Sequence, residues 1–197
     1  MQKLLFYFFA AVCLSNCQNK KQNDQWDAVT INSAVSRDSI YKELDKHAEL
    51  FSALETHDSF MKRTSDVTYY GGHKENLLDS SYAKFNNCRA YYYHSETLSI
   101  NIGIGNVLGG EGFIINYKNN RFYTEPYYLT DVIVSPEFIP TYKIVYQKLI
   151  LDKPFYSVGD SLYGYIDFKS VETDKNGNAK EHVGKGYFRT KVRNIVF

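Results

Sequence analysis

Lys185, Tyr187, Arg189, Lys191 and Arg193 fall at every second position, so a strand places all five on one side. An alternating apolar row at Leu162, Gly164, Ile166 and Phe168 puts Tyr163 and Tyr165 on the opposite face of the preceding strand. Tyrosine rings beside guanidinium and ammonium groups hold sugars, anionic headgroups or peptides. Tyr163, Tyr165, Arg189 and Lys191 therefore form a candidate ligand platform, set against the plainer alternative of a solvated or charge-guarded edge. Asp174-Lys175-Asn176-Gly177-Asn178 opens like a calcium loop, with oxygens at alternate positions. It then fails, because Ala179 replaces the bend glycine and Lys185 replaces the bidentate glutamate. The stretch from Gly103 to Gly112 holds five glycines, but Leu108 breaks the dinucleotide-binding spacing and Phe113 opens a strand where a helix is required. It reads as a flexible connection between strands. The histidines at 47, 57, 73, 94 and 182 have no zinc-site spacing, and Cys88 reads as a small buried hydrophobe. No catalytic residue, metal or cofactor is assigned.

Gly159-Asp160-Ser161-Leu162 resembles the signature of the GDSL hydrolases. The resemblance implies Ser161 as nucleophile in an α/β domain, with an Asp-x-x-His pair to follow. His182 is the one histidine after Ser161, and Ala179 occupies the aspartate's place before it. A serine without a positioned base is not activated, so the segment reads as a Gly-Asp turn launching a strand.

Met1-Gln2-Lys3 is a short basic start, followed by an uncharged apolar run from Leu4 to Leu14. About 20 residues are needed to span a bilayer as a helix, whereas roughly 7–15 suit the core of a secretory signal. Leu14-Ser15-Asn16-Cys17 closes the run and resembles the lipobox of bacterial lipoproteins, with Asn16 in place of the usual small residue. The resemblance implies cleavage before Cys17, a diacylglycerol on its sulfur and an acylated amine. It assigns Cys17 as the lipidation site and membrane anchor, and the cell envelope as the location, with the outer membrane of a Gram-negative bacterium as the expected membrane. The organisation expected is a signal at 1–16, a flexible tether at 17–35 and a single β-rich domain at 36–197.

Lys plus Arg number 23 and Asp plus Glu 22, a balance that argues against electrostatic capture of nucleic acid. Eighteen Tyr and 13 Phe favour β-structure. Ile40, Leu44, Ala48, Phe51 and Leu54 fall on one helical face and predict a helix over about 38–56. Beyond Val67 the period becomes two. Leu98 to Ile104, Phe113 to Tyr117 and Tyr142 to Leu151 read as strands; Asn119-Asn120 reads as a tight turn, and Pro126 limits the strand that follows it. The fold class expected is mainly β: an antiparallel sandwich or partly open barrel with the N-terminal helix packed against it. For the last hairpin, core parity pairs Phe168 with Gly186, Ile166 with Phe188, Gly164 with Thr190 and Leu162 with Val192, centring the turn on Gly177.

These readings favour a lipid-anchored, non-enzymatic binding or interaction module whose ligand is a glycan, a peptide or a protein. The alternatives are an envelope hydrolase built on Ser161 and a protective lipoprotein that neutralises a protein partner.

Overall fold

The computed structural model describes residues 25–49, 62–72, 87–92, 96–106, 109–130 and 140–194. Cys17 and the helix positions Phe51 and Leu54 lie outside them. Among the described residues ten strands make one sheet: β1 (Asp27–Ala28), β2 (Thr30–Ile31), β3 (Thr68–Gly72), β4 (Asn87–Tyr92), β5 (Leu98–Asn106), β6 (Gly109–Lys118), β7 (Arg121–Thr130), β8 (Thr141–Leu151), β9 (Ser161–Thr173) and β10 (Ala179–Asn194). Their order is β1-β7-β6-β5-β4-β10-β9-β8-β2, and β3 also pairs with β10. The sheet curls until β7 and β8 approach each other, giving a nearly closed barrel. Alternate residues fill it: Leu98, Ile100 and Ile102; Phe113 and Ile115; Phe122; Leu149 and Leu151; Leu162, Ile166 and Phe168; Phe188 and Val192. Cys88 is fully buried among them, and burial pushes its thiol pKa up.

The inward faces of β9 and β10 are those that parity requires, but the register is two residues away from the expected one. Phe168 lies opposite Gly184, Ile166 opposite Gly186, Gly164 opposite Phe188 and Leu162 opposite Thr190, centring the turn on Asn176. Volume explains the shift. A Cβ on Gly164 would stand 2.4 Å from Cζ of Phe188, and one on Gly184 would stand 2.3 Å from Cε1 of Phe168. Each phenylalanine lies over the glycine across from it, and the expected register would set Phe188 against Ile166. At the tip, Asp174 Oδ1 accepts from the amides of Asn176 and Asn178, while Gly177 takes a φ of +82°.

The N-terminal helix expected over 38–56 is not formed as such. A five-residue helical turn, α1 (Ile40–Leu44), is capped by Asp38 Oδ1 on the Ile40 amide and buries Tyr41 and Leu44. By Ala48 the chain has joined an antiparallel bridge to Lys62. Glu49 then forms a two-pronged ion pair with Arg89 of β4, at 2.6 and 2.9 Å, with both side chains nearly out of solvent. Strand pairing and this buried pair hold the chain where helix continuation would carry it away from the barrel.

The tether expected to reach residue 35 is structured from Gln25. β1 runs antiparallel beside β7, β2 runs parallel beside β8, and a 3-10 turn at Ser33–Arg37 follows. β7 also runs straight through Pro126, which pairs with Phe113. The reason is alternation. The Thr124 amide points away from β6 toward Gln147 of β8, so position 126 points the same way, and a proline there costs β6 nothing.

Gly164→Ala should destabilise the protein by about 1–3 kcal/mol through overpacking. Phe188→Leu in the same chain should recover part of that loss, because the clashing ring is gone. Denaturant unfolding of the double-mutant cycle checks this, with a coupling of at least about 0.5 kcal/mol expected.

Candidate functional site

Closure of the barrel stops partway along β7 and β8. Near the bottom β1 and β2 fill the seam, and at mid-height one side chain spans it. Gln147 Oε1 accepts from the Thr124 amide at 2.9 Å and from its hydroxyl at 3.1 Å, while Nε2 donates to the Gln25 carbonyl at 2.7 Å. Above that link Pro126 has no amide to offer, and β8 carries a bulge between Ile144 and Tyr146. A cleft of about 490 Å³ opens there, lined by Gln25, Asp27 and the run Tyr142 to Tyr146.

Tyr142 connects this cleft to a polar layer inside the barrel. It pairs directly with Glu172 across β8 and β9, and its ring meets the His182 ring edge-on at 6.0 Å. His182 is buried, with Nε2 2.7 Å from Glu172 Oε2 and Nδ1 2.8 Å from the Tyr69 hydroxyl. A carboxylate accepts only from a protonated nitrogen, so Nε2 carries the hydrogen and Nδ1 accepts from Tyr69. Burial holds the His182 pKa below the ordinary histidine value, against the opposing pull of Glu172. The Tyr69 bond works in the same direction, because only the neutral ring can accept it. Burial, with Glu111 nearby, raises the Tyr69 phenol, and burial, with Glu172 and Glu125, raises the Tyr142 phenol to about 12. Ser170, opposite His182, is fully buried, and its Oγ has no hydrogen-bond partner among the described residues. The layer is a hydrogen-bonding relay of phenol, neutral imidazole and carboxylate behind an aromatic wall, open to the cleft through Tyr142.

Tyr163, Tyr165, Arg189 and Lys191 do share the outer face of the β9–β10 hairpin, with Tyr163 opposite Arg189, Tyr165 opposite Tyr187 and Lys191 opposite Ser161. The chain itself covers half of that face. Tyr41 packs edge-on against Tyr163 at 5.0 Å, and its hydroxyl reaches the Gly164 and Phe188 carbonyls. Arg189 donates to the Arg63 carbonyl at 3.0 Å and to Asp45 at 2.9 Å, and it lies beside the Tyr41 ring. Tyr165 is half-buried against Tyr187, and only Lys191 is exposed. β10 is not an edge: it pairs with β9, β3 and β4.

The remaining motifs have local roles. Ser161 opens β9, nine residues along the strand from Ser170, so roughly 30 Å separates it from the level of His182. Its neighbour Asp160 accepts from the Ser157 amide and pairs with Lys153 at 2.7 Å. Both Asp174 oxygens are taken up within the hairpin tip. The glycine-rich stretch is ladder, not loop, up to Asn106 opposite Gly109, and the Tyr127 hydroxyl lies over Gly103 and Gly112. Among the described residues no group of three or more His, Cys, Asp or Glu is placed to hold a metal ion. Sequence reasoning missed Tyr69, Tyr142 and Glu172. One signal was available: Glu172 continues the inward parity of Leu162 through Ser170, so a carboxylate stands in a core row.

Comparison of the chain with family models, with curated proteins and with solved structures found no match.

A depressed histidine pKa makes the unfolded chain the stronger proton binder below the unfolded value of about 6.5. His182 therefore leaves stability untouched above pH 7 and removes it as pH falls through about 6.5. Thermal unfolding between pH 7.5 and 5.5 should show this loss in the native chain, and His182→Gln should flatten that part of the curve.

Proposed function

We propose that this chain is a lipid-anchored cell-envelope protein whose barrel is a non-enzymatic binding module, with the seam cleft as its ligand site. The seam carries the binding reading. It leaves two strand lips without a ladder between them, and at that point Tyr142 offers a ring, Gln25 an amide and Asp27 a carboxylate. Such a surface suits an extended ligand with alternating apolar faces and polar edges, a glycan or a peptide strand. The distance between Ser161 and His182 favours binding over hydrolysis. The anchor rests on the apolar run and on Cys17, and the outer membrane is the membrane it implies.

Cys17→Ser should move the protein from the membrane fraction to the soluble one without changing its unfolding temperature; retention in membranes after a high-salt wash would contradict the anchor. Screening the domain on glycan and peptide arrays should identify ligands whose binding weakens about tenfold or more in Tyr142→Ala. Ser161→Ala should leave the same binding unchanged. Ligands insensitive to Tyr142 would place the site elsewhere.

A further inference from the structure

We propose that the β8 lip of the seam, formed by Lys143, Val145, Tyr146 and Lys148, lies on the bilayer that holds Cys17; this inference rests on the anchor reading above. The bulge at Val145 breaks the alternation of β8 and turns two consecutive large apolar residues outward, Val145 at 55% exposure and Tyr146 at 47%. Lys143 and Lys148 flank them, both exposed. An aliphatic and a phenolic side chain between two lysines match the boundary between headgroups and acyl chains. The Tyr146 ring, its hydroxyl donating to Asp167 Oδ1 at 3.1 Å, presents its apolar face beside Val145, and the lysine stems lie along the surface with their ammonium groups at phosphate level.

The path of the chain brings this lip, rather than another surface, to the membrane. β1 runs antiparallel to β7, so Trp26 and Gln25 head along the seam toward the open end. Gln25 is held there, its carbonyl by Gln147 and its amide 3.5 Å from the Tyr142 carbonyl. Eight residue steps separate Cys17 from Gln25, a reach of at most about 28 Å. The β8 lip begins at the cleft wall and lies well inside that reach. Among the described residues Tyr128, Ile31, Phe155 and Val158 are also exposed; Tyr128 stands on the β7 lip of the same open end, Ile31 lies beside Leu151, and Phe155 and Val158 follow the far end of β8. From Gln147, which holds Gln25, to Leu151 is about 13 Å along β8, and Gln25 and Trp26 run the other way, so touching the membrane there would require the tether to double back along the barrel. An anchor only eight residues from Gln25 keeps the near lip at high local concentration against the surface.

The test uses the full lipidated chain in vesicles of phosphatidylethanolamine and phosphatidylglycerol. Val145→Cys and Val158→Cys, at exposed positions, are each labelled with an environment-sensitive dye, and a nitroxide-headgroup lipid serves as quencher. Cys88 is fully buried and does not compete for label. Quenching at 145 should exceed quenching at 158 by about threefold or more, and Lys143→Glu with Lys148→Glu should shrink that difference by weakening headgroup contact. Equal quenching, or stronger quenching at 158, in protein that floats with the vesicles overturns the orientation and leaves the anchor standing. Protein that does not float overturns both.

Discussion

Two phenylalanines laid over two glycines hold the architecture together. Phe168 over Gly184 and Phe188 over Gly164 lock β9 to β10 in one register, because each ring occupies the space that a Cβ on the opposite strand would need. β10 is the spine to which the rest attaches. It pairs with β9 along nearly its whole length, with β3 over its first part and with β4 in parallel near its end. Where β3 gives way to β4, Gly186 takes a φ of +146°, and a Cβ there would stand 2.6 Å from the Val67 Cα. Asp66 fills the gap in the ladder by accepting from the Tyr187 amide at 2.6 Å. A slip of β10 would disturb three neighbours at once.

The barrel is firm on that side and incomplete on the other. Pro126 and the Val145 bulge deprive β7 and β8 of a continuous ladder, and the chain's own N-terminal residues fill only the lower half of the gap. Gln147 serves in place of several backbone bonds. The opening that remains lies over the Tyr142, Glu172, His182 and Tyr69 layer, so the least-paired part of the sheet also carries the buried His182 and Ser170. Buried polar groups cost stability unless satisfied, and the relay satisfies three of them in series.

Much of the fold was legible in the residues. Period-two alternation located the strands, and the Asn119-Asn120 turn has the expected positive φ at both positions. Parity assigned the inward faces of the last hairpin correctly, yet parity alone cannot separate registers two residues apart. That choice required side-chain volumes, and Phe opposite Gly was the clue. The helical stripe misled because Ile40, Leu44 and Ala48 are spaced like a helix while the buried residues are Tyr41 and Leu44, with Ala48 exposed. Arg89 settles that segment from 40 positions away through Glu49, a long-range pairing that local patterns do not encode. The tyrosine–arginine face was legible as a surface, but not as one that Tyr41 and Asp45 would cover. The relay was hidden because Tyr69 comes from a strand 113 residues from His182.

Native-state amide exchange followed by NMR tests the central claim, that the barrel is locked at β9–β10 and open at the upper seam. The account predicts the slowest exchange at Phe168, Phe188 and their neighbours, and exchange close to the unprotected rate at the Tyr128 amide, which shares the outward direction of Thr124. Comparable protection at Tyr128 and at Phe188 would mean a ladder closes the seam, and would contradict the account.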